Sequence, residues 1–114
     1  MDREIYILNK IVRLMQDSAP DDYVEAICEF SYEKYDDSWS VGSKYSFVRE
    51  GIYFGELLDD PDDEISGLVR ELHQAMKGKN RRGWEKFTVK LISSGVAKVN
   101  FFYNSSKNQE IILP

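Results

Sequence analysis

An antiparallel α+β domain is predicted, a sheet of about five strands carrying two helices in the order α-β-β-β-α-β-β. Three observations point there. The stretch 84–103 alternates apolar and polar residues on both sides of Ser93-Ser94-Gly95, the pattern of a β-hairpin with one apolar and one wet face. Two earlier runs of alternation follow each other through short turn signals, and such links favour antiparallel pairing. Two stretches repeat apolar residues at helical spacing, so helices can cover the apolar sheet face that a lone hairpin would leave wet.

The first helix is expected over 2–18. Ile5, Leu8, Ile11, Val12 and Met15 form its stripe, and Ser18-Ala19-Pro20-Asp21-Asp22 ends it because proline cannot continue the hydrogen-bond ladder. Val24, Ala26, Cys28, Phe30 and Tyr32 then alternate with Glu25, Ile27, Glu29, Ser31 and Glu33, giving a long strand with an acidic outer face. A turn at 34–38 leads to a second strand with Trp39, Val41, Tyr45 and Phe47 on one side, Gly42-Ser43 marking a bulge or a loosening of the pairing. Arg49-Glu50-Gly51 is a further turn before a short strand, Ile52-Tyr53-Phe54, ended near Gly55.

Asp59-Asp60-Pro61-Asp62-Asp63-Glu64 has the chemistry of a helix start, with Asp60 as N-cap, Pro61 at the first helical position and acids in the first turn. Ile65, Leu68, Val69, Leu72 and Met76 supply the buried stripe, and Gly78 with Lys77 and Lys79 suits its C-terminal end. Asn80-Arg81-Arg82-Gly83 links to the Trp84 hairpin. A polar turn at 104–108 precedes Ile111-Ile112-Leu113, a candidate last strand.

With 114 residues, the chain is read as one domain over 1–114. Its longest apolar runs fall short of the roughly 18 residues of a membrane span, and the start Asp2-Arg3-Glu4 lacks a signal-peptide layout, so a cytoplasmic protein is expected. The single Cys28 fits a reducing compartment and reads as a buried, inert small hydrophobe. Charge is unevenly spread. Residues 1–64 hold seventeen acids and six bases, a net of −11, whereas 65–114 hold three acids and nine bases, a net of +6. Either the acidic part draws basic partners, or the halves fold together and the signs interleave.

Little in the sequence suggests chemistry. His73 has no cysteine or second histidine near it to suggest a metal site, and no base or oriented partner for catalysis, so a structural or surface role is expected. No phosphate loop, nucleophile elbow or metal-ligand spacing occurs, and no cofactor is expected. The acids at 59–64 lack the alternating ligands, central glycine and closing glutamate of a calcium loop, and helix capping accounts for them without an ion. Arg81, Arg82, Lys86, Lys90 and Lys98 beside Trp84 and Phe102 form a possible nucleic-acid surface, set against a plain solvated sheet face.

The amphipathic first helix with long strands after it, the acidic helix from 60 to about 77, and above all the Trp-x-x-x-Thr pattern at Trp84 and Thr88 with its Ser-Gly turn and aromatic strand resemble the YezG-like immunity family. That family includes antidotes to the polymorphic and contact-dependent inhibition toxins of bacteria. The chain departs from the family pattern after Tyr103, where Asn104-Ser105 stands in place of an acidic turn. The resemblance implies a non-enzyme that binds a cognate toxin domain in the cytoplasm and blocks its active site or substrate path, the toxin often being a nuclease. Nucleases are basic where they hold phosphates, so an acidic antidote suits that surface. Candidate contacts are Glu29, Glu33, Asp36, Asp37, Asp59, Asp60, Asp62, Asp63 and Glu64, with Tyr35 and Trp39 as aromatic anchors. Trp39 reads equally as core, and the 59–64 acids equally as a helix cap. The alternative is a small nucleic-acid-binding module on the basic face of the final hairpin.

Overall fold

In the computed structural model, residues 2–77, 83–103 and 108–113 are described. The expected C-cap at Gly78 and Lys79, the Asn80-Arg81-Arg82 link and residues 104–107 of the turn expected at 104–108 lie outside them, while Asn108 opens the last strand rather than closing that turn. The element order is α1 (Asp2–Ser18), β1 (Glu25–Lys34), β2 (Trp39–Arg49), β3 (Ile52–Glu56), α2 (Ile65–Lys77), β4 (Lys86–Ile92), β5 (Ala97–Phe102) and β6 (Asn108–Leu113). The fold is the expected α+β arrangement, with six strands rather than about five because Ile111-Ile112-Leu113 belongs to a full strand. All pairings are antiparallel, in the order β3-β2-β1-β4-β5-β6.

β1 lies at the middle of this sheet. It pairs with β2 from Glu25↔Val48 to Lys34↔Trp39 and with β4 from Glu25↔Ile92 to Ser31↔Lys86. Its alternation decides which face is buried: Ala26, Cys28, Phe30 and Tyr32 point under the helices, and Glu25, Ile27, Glu29 and Ser31 point away. The registers carry this choice across the sheet, so Tyr45, Phe47, Phe87, Val89, Leu91, Ala97, Val99 and Phe101 join the same buried face. Phe30 stacks on Phe87 at 5.0 Å, and Phe87 meets Phe101 at 5.3 Å. Full burial of each such side chain contributes about 1.5–3 kcal/mol.

The helices lie side by side over that face. On α1, Ile7, Leu8, Ile11, Val12 and Met15 are buried, while Ile5 is only partly so. The stripe is rotated from the expected one, and it takes in Glu4, a buried carboxylate. On α2, Ile65, Val69, Leu72 and Met76 are buried, and Leu68 packs at the margin.

Two further expectations are corrected. No bulge occurs at Gly42-Ser43, since Gly42 pairs with Ser31 in an unbroken register. A Cβ on Gly42 would sit 2.7 Å from Ser31 Oγ, so glycine serves close approach of the two strands there. Second, α2 begins at Ile65, not at Pro61. The Asp60 carboxylate accepts the N–H groups of Glu64 (2.8 Å) and Ile65 (2.9 Å), and the Asp63 N–H donates to the Asp60 carbonyl (3.0 Å). These bonds close a turn, with Asp63 left-handed at φ 52°, before the helix is entered. Asp60 therefore still caps the helix, but across a turn. The Glu64 carbonyl takes the first helical bond, from the Leu68 N–H at 3.0 Å.

Candidate functional site

The sheet face turned away from the helices mixes its charges. Lys86 Nζ reaches Glu29 Oε1 at 3.2 Å, and Lys90 Nζ reaches Glu25 Oε2 at 3.6 Å, each a diagonal cross-strand pair between β1 and β4. The acidic face expected of β1 and the basic face expected of β4 thus offset one another. Trp84 does not belong to this surface. It is 1% exposed and packs edge-on against Phe87 at 5.0 Å and His73 at 4.8 Å, so it cannot stack a base. Arg81 and Arg82 lie outside the described residues.

His73 is likewise structural. Its half-buried ring lies 4.4 Å from that of Tyr32, and a Cβ on Gly83 would meet its Nε2 at 2.6 Å. Burial, helped by the Lys77 charge, lowers its pKa from 6.5 against an opposing hydrogen bond with the Trp84 backbone. Cys28 is fully buried, and burial pushes its thiol up to about 12, with Glu29 adding to the rise and a backbone hydrogen bond from Lys44 opposing it. At neutral pH it is an inert thiol. Among the described residues no three His, Cys, Asp or Glu side chains are grouped to hold a metal ion.

The remaining acids fall on two loops. At the β1–β2 turn the Tyr35 N–H donates to the Ser38 carbonyl at 2.8 Å and presents Asp36 and Asp37 to solvent. Tyr35 is exposed, and its hydroxyl donates to Glu33 Oε2 at 2.7 Å, a bond that raises the phenol's pKa. Trp39 is half-buried. It packs against the core, 6.3 Å from the Tyr32 ring, with the Arg70 guanidinium 4.9 Å from its own ring.

The second loop joins β3 to α2. The Asp59 N–H donates to Ser18 Oγ at 2.9 Å, and Ser18 Oγ donates to the Leu14 carbonyl at 2.8 Å, which ties the loop to the end of α1. Asp60 is engaged by the turn, but Asp62, Asp63 and Glu64 are exposed. A cleft of about 350 Å³ is lined by Asp59, Asp60, Asp62 and Glu64 together with Lys10, Arg13 and Asp17 of α1. The ion pairs among described residues engage Glu71, Asp22, Glu29 and Glu25, and none reaches 36, 37, 59, 62, 63 or 64.

Beside that loop stands a feature the sequence reading passed over. β3 is an edge strand, and every residue of it is exposed. Tyr53 is 70% exposed and Leu57, just beyond the strand, 93%, with Ile52 and Phe54 also in the open. Phe54 stacks on Phe47 at 5.4 Å, so its ring is held in place. Leu57 and Leu58 line a cleft of about 240 Å³ with Val41, Ile65 and Asp60. Residues 50–64 carry seven acids and no lysine or arginine. Apolar anchors within an acidic rim are the composition of a binding surface. The signal the sequence offers is the apolar Ile52-Tyr53-Phe54 run next to the acids, and sequence alone does not say which strand is an edge.

No family model matches the chain. It is 30% identical over 101 residues to the "Chorionicgonadotropic hormone-like protein" of the bacterium Stenotrophomonas maltophilia, a match taking in 87% of this chain and 23% of that protein. The chain thus spans about a quarter of that relative's length. Among the described residues no helix is long and apolar enough to cross a membrane.

Proposed function

We propose that this chain is a cytoplasmic immunity protein, a non-enzyme that binds and neutralises a cognate bacterial toxin domain of the nuclease class by covering its substrate-binding surface. One observation carries the reading: Glu25 and Glu29 on the sheet are paired with Lys90 and Lys86, whereas Asp36, Asp37, Asp59, Asp62, Asp63 and Glu64 on the two loops stand exposed without ion pairs among the described residues. Unneutralised carboxylates on a protein surface mimic the phosphates a nuclease holds and steer a basic partner into contact. The exposed Tyr53, Phe54 and Leu57 next to the second loop supply desolvated contact area that charge alone lacks. The similar protein in Stenotrophomonas maltophilia sets the match in a bacterium, as this reading requires.

The test is to mix the purified chain with the toxin domain encoded beside its gene and follow nuclease activity. Stoichiometric loss of activity is expected. A toxin that cleaves at its full rate in the presence of excess chain contradicts the reading.

A further inference from the structure

Among the described residues the open side of β3 is lightly guarded for a sheet edge. Such edges are blunted by shortness, charged side chains (lysine above all), proline, a bulge or a cover. Residues 52–58 contain no lysine and no proline, their one charge is Glu56 at the strand's end, and the β2–β3 register runs without a bulge from Arg49↔Ile52 to Tyr45↔Glu56. The hairpin joining them is a two-residue turn with both φ angles positive, Glu50 at 52° and Gly51 at 77°. That turn fixes the hydrogen-bonding phase. Ile52, Phe54 and Glu56 face β2 with their backbone groups, and Tyr53 and Gly55 direct theirs outward. Four large apolar side chains, Ile52, Tyr53, Phe54 and Leu57, surround these outward groups.

We propose that the partner completes this edge: an extended segment of the toxin domain, bearing lysine or arginine, pairs with β3 as a seventh strand. The proposal deepens the inhibitor reading and rests on it. Outward N–H and C=O groups supply the pairing, and alternate side chains of the incoming strand meet Ile52 and Phe54 on one face and Tyr53 on the other. Charge selects the occupant. The seven acids at 50–64 attract a cationic segment, while a second copy of this chain would bring a second set of seven against the first.

The test is amide hydrogen exchange by NMR on the chain alone and bound to the toxin domain encoded beside its gene. Tyr53 and Gly55 amides are expected to exchange freely in the isolated chain and to become protected in the complex. Tyr53→Pro removes one outward donor without touching a β2 bond. It is expected to weaken binding roughly ten-fold or more, with the melting temperature kept, whereas Tyr53→Ala retains the donor and loses less. Binding with both amides still exchanging freely overturns the strand-pairing proposal and leaves the inhibitor reading standing. No binding at all overturns both. Protection in the isolated chain that disappears on dilution identifies a second copy as the occupant and overturns the proposal.

Discussion

Lys86 Nζ lies 3.2 Å from Glu29 Oε1 across the β1–β4 pair, and this contact sets Glu29 apart from the loop acids Asp36, Asp37, Asp62 and Asp63, which have no such pair among the described residues. Both side chains are partly exposed, so the pair is worth about 0.2–1 kcal/mol. Glu29→Ala is expected to cost no more than that in urea denaturation and to leave the rate of partner association unchanged. A double-mutant cycle with Lys86→Ala measures the coupling. A slowed association in Glu29→Ala would place this carboxylate in the interface.

The Gly83 backbone lies against the His73 ring, where an added methyl would approach Nε2 to 2.6 Å. Gly83→Ala is therefore expected to destabilise the fold by about 1–3 kcal/mol, the usual cost of overpacking. Removing the ring in His73→Ala/Gly83→Ala relieves the clash, so the double variant should be more stable than the sum of the two single changes predicts. Strict additivity in thermal or urea melts would contradict this packing.

His73 also sets a pH dependence. Its folded pKa is lowered below 6.5, chiefly by burial, so the unfolded chain binds the proton more readily than the folded one. Stability is then fully present above about pH 6.5 and falls as pH drops through that value toward the folded pKa. Urea midpoints between pH 7 and pH 5 follow the loss, and His73→Gln should flatten that part of the profile.

Asp60 and Asp62 are neighbours in sequence with different work. Asp60→Ala removes the acceptor of the Glu64 and Ile65 N–H groups and is expected to cost about 1 kcal/mol, as lost helix caps do. The Asp62 side chain makes no hydrogen bond among the described residues, so Asp62→Ala should stay within about 0.5 kcal/mol of the parent. Equal costs would show that the turn does not depend on the Asp60 carboxylate.

The features legible in the sequence are those set by local periodicity. α1 runs over its expected span, the buried side of β1 follows from the alternation of Ala26, Cys28, Phe30 and Tyr32, and the β4–β5 hairpin turns at Gly95, which has φ 102°. The features that were not legible depend on which strand neighbours which. Glu29 meets Lys86 only because β4 inserts beside β1, far along the chain. Trp84 is buried because α2 brings His73 over it. β3 is exposed because nothing among the described residues pairs with its far side, a consequence of strand order that its own residues do not encode. Of the candidate contacts, the sequence grouped Glu29 with Asp36 and Asp62 on charge alone, and cross-strand register now divides them.

On the proposed reading, the exposed acids Asp36, Asp37, Asp62, Asp63 and Glu64 draw in a basic partner. Stopped-flow association of the chain with the toxin domain encoded beside its gene, over a range of salt concentrations, reads that attraction. The parent should associate fast at low salt and slow steeply as salt rises, and Asp36→Lys/Asp37→Lys and Asp62→Lys/Asp63→Lys should each slow association and flatten that dependence. Association rates that neither salt nor either charge reversal alters would contradict the account.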